Sequence, residues 1–217
     1  MKKVLIMALT ATALLFASCS KKSNNDVKPE DTNKVTINGT DYATTKIGTQ
    51  TWTTVNYNGT GGVTYTGVSN AAYGKLYTLT EAKAVSLPTG WRLPTKADAE
   101  KLLLFLGATT DNDGNVEGEA SVSVKLKSKS DWTLTQGNNS SGFNAYPAGE
   151  GTVGINSFDG KGDFATFWTS TTLSGDSQYL LGIWNNKDGV QVLDFTAIDY
   201  TPRASTSTFS IRFVRDN

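Results

Sequence analysis

The chain has 217 residues, with 20 Lys+Arg, 20 Asp+Glu, no histidine and one cysteine, Cys19. The even charge balance offers no footing for a nucleic-acid partner, and the missing histidine removes imidazole acid–base catalysis, triad-type nucleophile activation and His zinc ligation together. An enzyme built on this chain would have to work through carboxylates, Lys, Tyr or Ser.

Residues 1–18 have the layout of an export signal. Lys2 and Lys3 form a positive start, Val4 to Phe16 is an apolar run broken only by Thr10 and Thr12, and Ala17-Ser18 are small. The run is too short to span a bilayer comfortably. Phe16-Ala17-Ser18-Cys19 looks like a bacterial lipobox, which makes Cys19 the position that is acylated and becomes the new N-terminus. The alternative is an ordinary signal peptide with an incidental cysteine. With Cys19 acylated there is no thiol left, so no intramolecular disulfide forms and the fold must be held by its core.

Residues 19–33, CSKKSNNDVKPEDTN, carry one ordinary apolar side chain, Val27, and read as a flexible tether. Fifteen such residues reach about 20 Å on average and at most ~50 Å. No Asp or Glu follows the lipid position directly. Ser20-Lys21-Lys22 stand there, so membrane anchoring, in the cell membrane or outer membrane, is expected without a fixed leaflet.

The domain is expected at 34–217. Lys34 to Ile37, Tyr42 to Ile47 and Gln50 to Tyr57 read as short strands separated by Asn38-Gly39 and Gly48, and Gly59 to Gly67 reads as a loop. A short helix is expected over Thr80 to Val85, capped by Thr80 and stopped by Pro88. A clearer one is expected over Lys96 to Leu106, with Thr95 and Asp98 as a capping-box variant. Ala99, Leu102, Leu103 and Leu106 share one face of it, and Gly107 is placed to end it. Strands are then expected at Val122 to Leu126, Asp131 to Leu134, Ala165 to Ser170, Tyr179 to Trp184, Val190 to Thr196 and Ser210 to Arg215, with Asn186-Lys187-Asp188-Gly189 as a hairpin turn. The class is α+β, with two early helices and a mostly antiparallel sheet.

Six stretches in order resemble one domain family. They are Lys46-Ile47-Gly48-Thr49-Gln50-Thr51-Trp52, Tyr73-Gly74-Lys75-Leu76-Tyr77, Pro88 to Thr95 (PTGWRLPT), Gly142 to Gly149 (GFNAYPAG), Phe167-Trp168-Thr169-Ser170 and Ser210 to Asp216 (SIRFVRD). Together they are similar to the Fibrobacter succinogenes major paralogous domain, over roughly Val35 to Asn217. The resemblance implies an exported, often lipid-anchored protein of the Bacteroidetes type. It also implies a C-type lectin-like fold, shared with formylglycine-generating sulfatase activators. Those enzymes use cysteine thiols, which the exported domain lacks. The chain departs from the family at Trp52 to Tyr57, where members carry an acidic residue and Leu around the Asn.

Candidate sites follow from residue type. Trp91 is expected to plug the core, and Arg92 to satisfy carbonyls at the helix entry. Asp111, Asp113 and Asn115 lie in a run of hard oxygen ligands suited to calcium, though without EF-hand spacing; a solvated acidic loop is the alternative. Trp184-Asn185-Asn186 is similar to the Trp-Asn-Asp tripeptide of C-type lectins, with Asn186 at the acidic position; a hairpin turn accounts for it equally. Of Trp132, Tyr146, Trp168, Trp184 and Tyr200 most are expected to be core, with Trp132 and Tyr146 singled out for stacking on a ligand; Asn185 is the third ligand-binding candidate. The expected function is a non-enzymatic binding module for a glycan or an envelope protein, with no obligatory cofactor. A structural or assembly subunit is the alternative, and a hydrolase using Asp159 and Asp163 the third reading.

Overall fold

The computed structural model of the protein describes residues 33–64, 71–154, 157–187, 192–201 and 203–217; for 186–187, 192–197 and 200 it describes the backbone alone. The signal, Cys19 and the tether up to residue 32 lie outside the described residues, as do Asp188 and Gly189 of the expected hairpin turn.

The domain is α+β and β-rich. Strands β1 (Lys34–Ile37), β2 (Thr40–Ile47) and β3 (Gln50–Thr53) form an antiparallel meander. β12 (Val214–Asp216) completes that sheet on the far side of β3, giving the order β1-β2-β3-β12. Early and late segments of the domain therefore share one sheet. A second sheet has the order β4-β5-β10-β9-β8, built from β4 (Thr109–Thr110), β5 (Val116–Gly118), β8 (Phe164–Ser174), β9 (Ser177–Lys187) and β10 (Val192–Thr201). A third, β11-β6-β7, joins β6 (Glu150–Thr152), β7 (Ser157–Asp159) and β11 (Ser207–Thr208).

Helix α2 (Lys96–Phe105) has the capping box that Thr95 and Asp98 predict. Ala99, Leu102, Leu103 and Leu106 are all buried. At its far end Gly107 adopts φ +104°, and the N–H groups of Gly107 and Ala108 donate to Leu104 O and Leu103 O, a Schellman closure. Helix α1 (Leu79–Ala84) is capped by Thr78, not Thr80. Glu81, three residues beyond Thr78, closes that capping box, and the helix ends before Pro88 is reached.

Three expected strands are corrected. Val122 to Leu126 belongs to a helix, α3 (Ala120–Leu126), which buries Val122, Ser123 and Leu126 at helical spacing. Asp131 to Leu134 is irregular: Asp131 has φ +76° and turns Trp132 into the core. Ser210 to Phe213 lies outside the ladder because consecutive residues bond different neighbours, Ser210 to Thr166 and Thr53 to Phe213 among them. The strand expected to reach Tyr57 stops at Thr53 for a related reason. The chain turns so that Asn56 is buried and its side chain meets Arg212.

Two main clusters form the core. In the first, Trp52 meets Phe143 edge-on at 5.6 Å, Phe143 meets Phe167 at 5.5 Å, and α2 covers them with its leucines. In the second, Trp168 stacks edge-on against Phe209 at 4.7 Å and donates its indole N–H to Tyr77 O at 2.6 Å. Trp91, expected to plug the core, is only partly buried at its edge, beneath the Arg215 guanidinium. Trp52 and Trp168 fill that role.

Arg212 is fully buried, with Nε on Asn56 Oδ1 at 2.7 Å and its other nitrogens on the carbonyls of Thr53, Phe143 and Asn144. Its plane also lies within reach of the Phe143 and Phe167 rings. Burial pushes its pKa down to about 9, so it stays charged at neutral pH. Three distant segments are tied through this one side chain.

Candidate functional site

The residues singled out from sequence are mostly structural. Trp132 is 2% exposed, covered by the Lys127 ammonium at 4.4 Å, and donates Nε1–H to Ala145 O at 3.2 Å, so neither ring face is open to a ligand. Asn185 is also buried. Its Oδ1 accepts from Thr135 N–H at 3.2 Å, which secures the 133–137 loop to β9. Tyr146 is half-buried and packs on Tyr73 at 5.5 Å.

Asp111 accepts N–H groups of Asp113 and Asn115 on Oδ1 and the Asn115 amide on Oδ2. The carboxylate thus closes the β4–β5 turn with the loop's own donors, and Asn115 first among them holds its pKa low. Among the described residues no group of three or more Asp, Glu, Cys or His is arranged to hold a metal. Arg92, expected on carbonyls, pairs with carboxylates instead, Asp98 at 2.5 Å and Asp216 at 2.9 Å.

The open concavity in the later half of the domain arises from strand alternation. Along β9, Leu181 and Ile183 enter the first core, so Leu180, Gly182 and Trp184 turn to the other face. Their partners on β8 are Trp168, Thr166 and Phe164, and Asp199 on β10 stands opposite Leu180. Trp168 and Leu180 are covered by the second core. Phe164 and Trp184, directly cross-strand from each other, are left in a groove of about 260 Å³ whose walls include Glu150, Thr166, Asp199 and Thr201.

Both rings are seated on glycines. A Cβ at Gly182 would stand 1.9 Å from the Trp184 indole, and one at Gly160 would stand 1.8 Å from the Phe164 ring. The absence of side chains there lets each aromatic lie close to the backbone. Glu150 faces Asp159 across β6–β7. Burial first, then the Asp159 charge, raises the Glu150 carboxyl above its ordinary pKa, with Arg203 opposing. Asp159 also accepts from Gly160 N–H, and Asp163 is exposed.

Trp184 was legible as a candidate aromatic; Glu150, Phe164 and Asp199 were not. The Leu180-Gly182-Trp184 alternation was the available signal, with glycine leaving room between two large side chains.

A second concavity, about 380 Å³, lies against Thr208, whose side chain points away from the Glu150 face because alternation puts neighbouring strand residues on opposite sides. Its walls include Val63 and Val153, 42% and 43% exposed, with Leu76 and Phe158. Among the described residues, Thr208 Oγ1 is the one buried side-chain polar atom without a hydrogen-bond partner.

A family model for the Fibrobacter succinogenes major domain matches residues 45–215, more than three quarters of the chain. No curated protein and no solved structure matches it.

Proposed function

The chain belongs to the Fibrobacter succinogenes major domain family, and on that premise we propose that it is a lipid-anchored binding module of the cell envelope, without catalytic activity, whose groove on β8–β9 takes a glycan. The observation that carries this reading is the cross-strand pair Phe164 and Trp184, both held on glycines and flanked by the carboxylates Glu150 and Asp199. Aromatic faces suit the apolar side of a sugar ring, and carboxylates accept hydrogen bonds from its hydroxyls. Drug-sized pockets hold ~300–1,000 Å³, so a smaller, open groove suits one ring of a longer chain.

The C-type lectin-like architecture is part of the same proposal. The α+β order, the antiparallel sheets and the pairing of β3 with β12 support it. The absence of histidine and of any cysteine beyond Cys19 supports a non-enzymatic role. So does the engagement of Asp159 with its own turn.

A specific observation favours one second reading, an assembly or structural subunit. The cleft walled by Val63, Leu76, Val153 and Phe158 has the chemistry to receive an apolar side chain of an envelope protein.

The test is a broad glycan array probed with the full chain, in calcium and then in chelator. Saturable binding supports the carbohydrate reading, and its survival in chelator removes calcium from the site. An array blank under both conditions moves the assignment to the protein partner.

A further inference from the structure

The last turn of α2 breaks the pattern of the rest of that helix. Leu104 and Phe105 are 45% and 64% exposed, beside fully buried Leu102 and Leu103. The Phe105 ring rests against Gly48 in the β2–β3 turn, where a Cβ would come within 2.9 Å of it. A concavity of about 550 Å³ opens there, bounded by Lys46, Thr49, Lys101 and Phe105. Lys125 adds a third cation by donating Nζ–H to Leu106 O at 2.7 Å. The neighbouring carboxylate, Asp216, is already held by Arg92 at 2.9 Å and lies 3.7 Å from Lys101. Single exposed apolar residues are ordinary on protein surfaces. Two adjacent ones at a helix end that also carries Lys46 and Lys101 beside Phe105, and Lys125 on Leu106 O, make an amphipathic tip.

The same end of the domain is where the chain enters it. Asn33 O accepts from Thr44 N–H at 2.8 Å, and β1 runs antiparallel to β2. The first described residue, Asn33, thus lies beside Thr44, about 13 Å along β2 from the Gly48 turn. Read as the flexible tether its composition predicts, the stretch from Cys19 to Asn33 spans about 20 Å on average.

We propose that this tip docks on the bilayer surface, with Leu104 and Phe105 at the headgroup–acyl boundary and Lys46, Lys101 and Lys125 against anionic headgroups. The proposal rests on the reading of Cys19 as the lipid anchor. A surface contact too weak to hold a free protein is well populated once a short tether keeps it near the membrane. Apolar side chains beside cations match an interface that is apolar below and anionic above.

The experiment uses the full, acylated chain in phosphatidylethanolamine–phosphatidylglycerol vesicles. An environment-sensitive fluorophore is attached through Leu104→Cys or, as the comparison, through Leu173→Cys. Leu173 is 42% exposed and lies two residues past Thr171, whose Oγ1 accepts from Lys96 N–H at the opposite end of α2. Acylation occupies Cys19, so the label is confined to the new thiol.

Iodide quenching several-fold weaker at position 104 than at 173, and restored when Phe105→Asp is added, is the expected result. Equal quenching at both positions overturns the docking while leaving the anchor intact. Flotation of the wild-type chain with vesicles, lost in Cys19→Ala, is measured alongside; retention of Cys19→Ala in the membrane fraction overturns the anchor and the docking with it.

Discussion

Arg92 and Asp98 face each other in a two-point pair, Nε to Oδ2 at 2.9 Å and one terminal nitrogen to Oδ1 at 2.5 Å, across the turn that opens α2. The same carboxylate caps the helix through the N–H and hydroxyl of Thr95 and accepts the Gln50 amide at 2.9 Å. Gln50 in turn accepts the Trp52 indole N–H at 3.3 Å. One acid side chain thus joins the helix start, β3 and the centre of the first core.

Removing that charge has a calculable direction. Burial alone would raise the Asp98 carboxyl, but the Arg92 and Thr95 hydrogen bonds outweigh it and hold the pKa below 3.8. Between the folded and unfolded values the unfolded chain binds more protons, so this stability is complete above pH ~4 and is lost as pH falls through the folded value. Asp98→Asn should cost about 2–3 kcal/mol at pH 7 from the lost cap and charge-assisted bonds. Denaturant titrations should show that deficit shrinking toward pH 2; a pH-independent deficit contradicts the assignment.

Arg212 offers a second test of the core. Arg212→Met leaves the carbonyls of Thr53, Phe143 and Asn144 without their donor. The expected loss is about 3–5 kcal/mol, roughly 10 °C in Tm. Arg212→Lys should recover little, because an ammonium cannot reproduce the planar fork that reaches all of these acceptors. A Tm within a few degrees of wild type for the Lys variant contradicts that geometry.

The groove carries its own pH dependence. Because Glu150 titrates above its ordinary value, burying it ionised opposes folding. Its contribution is most favourable below pH ~4.5 and is lost as pH rises through the raised folded value. Glu150→Gln should therefore be neutral or stabilising at pH 7, and its advantage should vanish at pH 4. A variant less stable than wild type at pH 7 contradicts this account of the carboxyl.

Two tryptophans should separate fold from function. Trp132→Ala is expected to cost about 3–5 kcal/mol, since it empties a buried site. Gly182→Ala should displace the Trp184 indole and weaken ligand binding several-fold without adding a group that could touch the ligand. Unchanged binding by Gly182→Ala, measured by calorimetry, would falsify the seating of that ring.

What sequence could reveal depended on how local the signal was. Thr95, Asp98, the leucine spacing and Gly107 sit within thirteen residues, and α2 was legible from them. Val122 to Leu126 alternates over five residues, too short a run to separate period 2 from period 3.6, and α3 was read as a strand. Arg212 gave no signal, because its acceptors come from residues 53, 56, 143 and 144. The groove is non-local in the same way. Phe164 meets Trp184 only through the β8–β9 pairing, and Glu150 reaches them through the bridge of Gly149 to Ala165. Trp132 was placed on a strand over Asp131 to Leu134, and four residues of sequence do not say which way the ring faces; the positive φ of Asp131 breaks that strand and the ring is buried.

The most direct test of the central claim compares the full chain and Trp184→Ala on the same glycan array, with thermal unfolding measured for both. Saturable binding by wild type, reduced about tenfold or more in Trp184→Ala at near-equal Tm, is the predicted result. A glycan bound equally well by both proteins, or by neither, would contradict carbohydrate recognition in the Phe164–Trp184 groove.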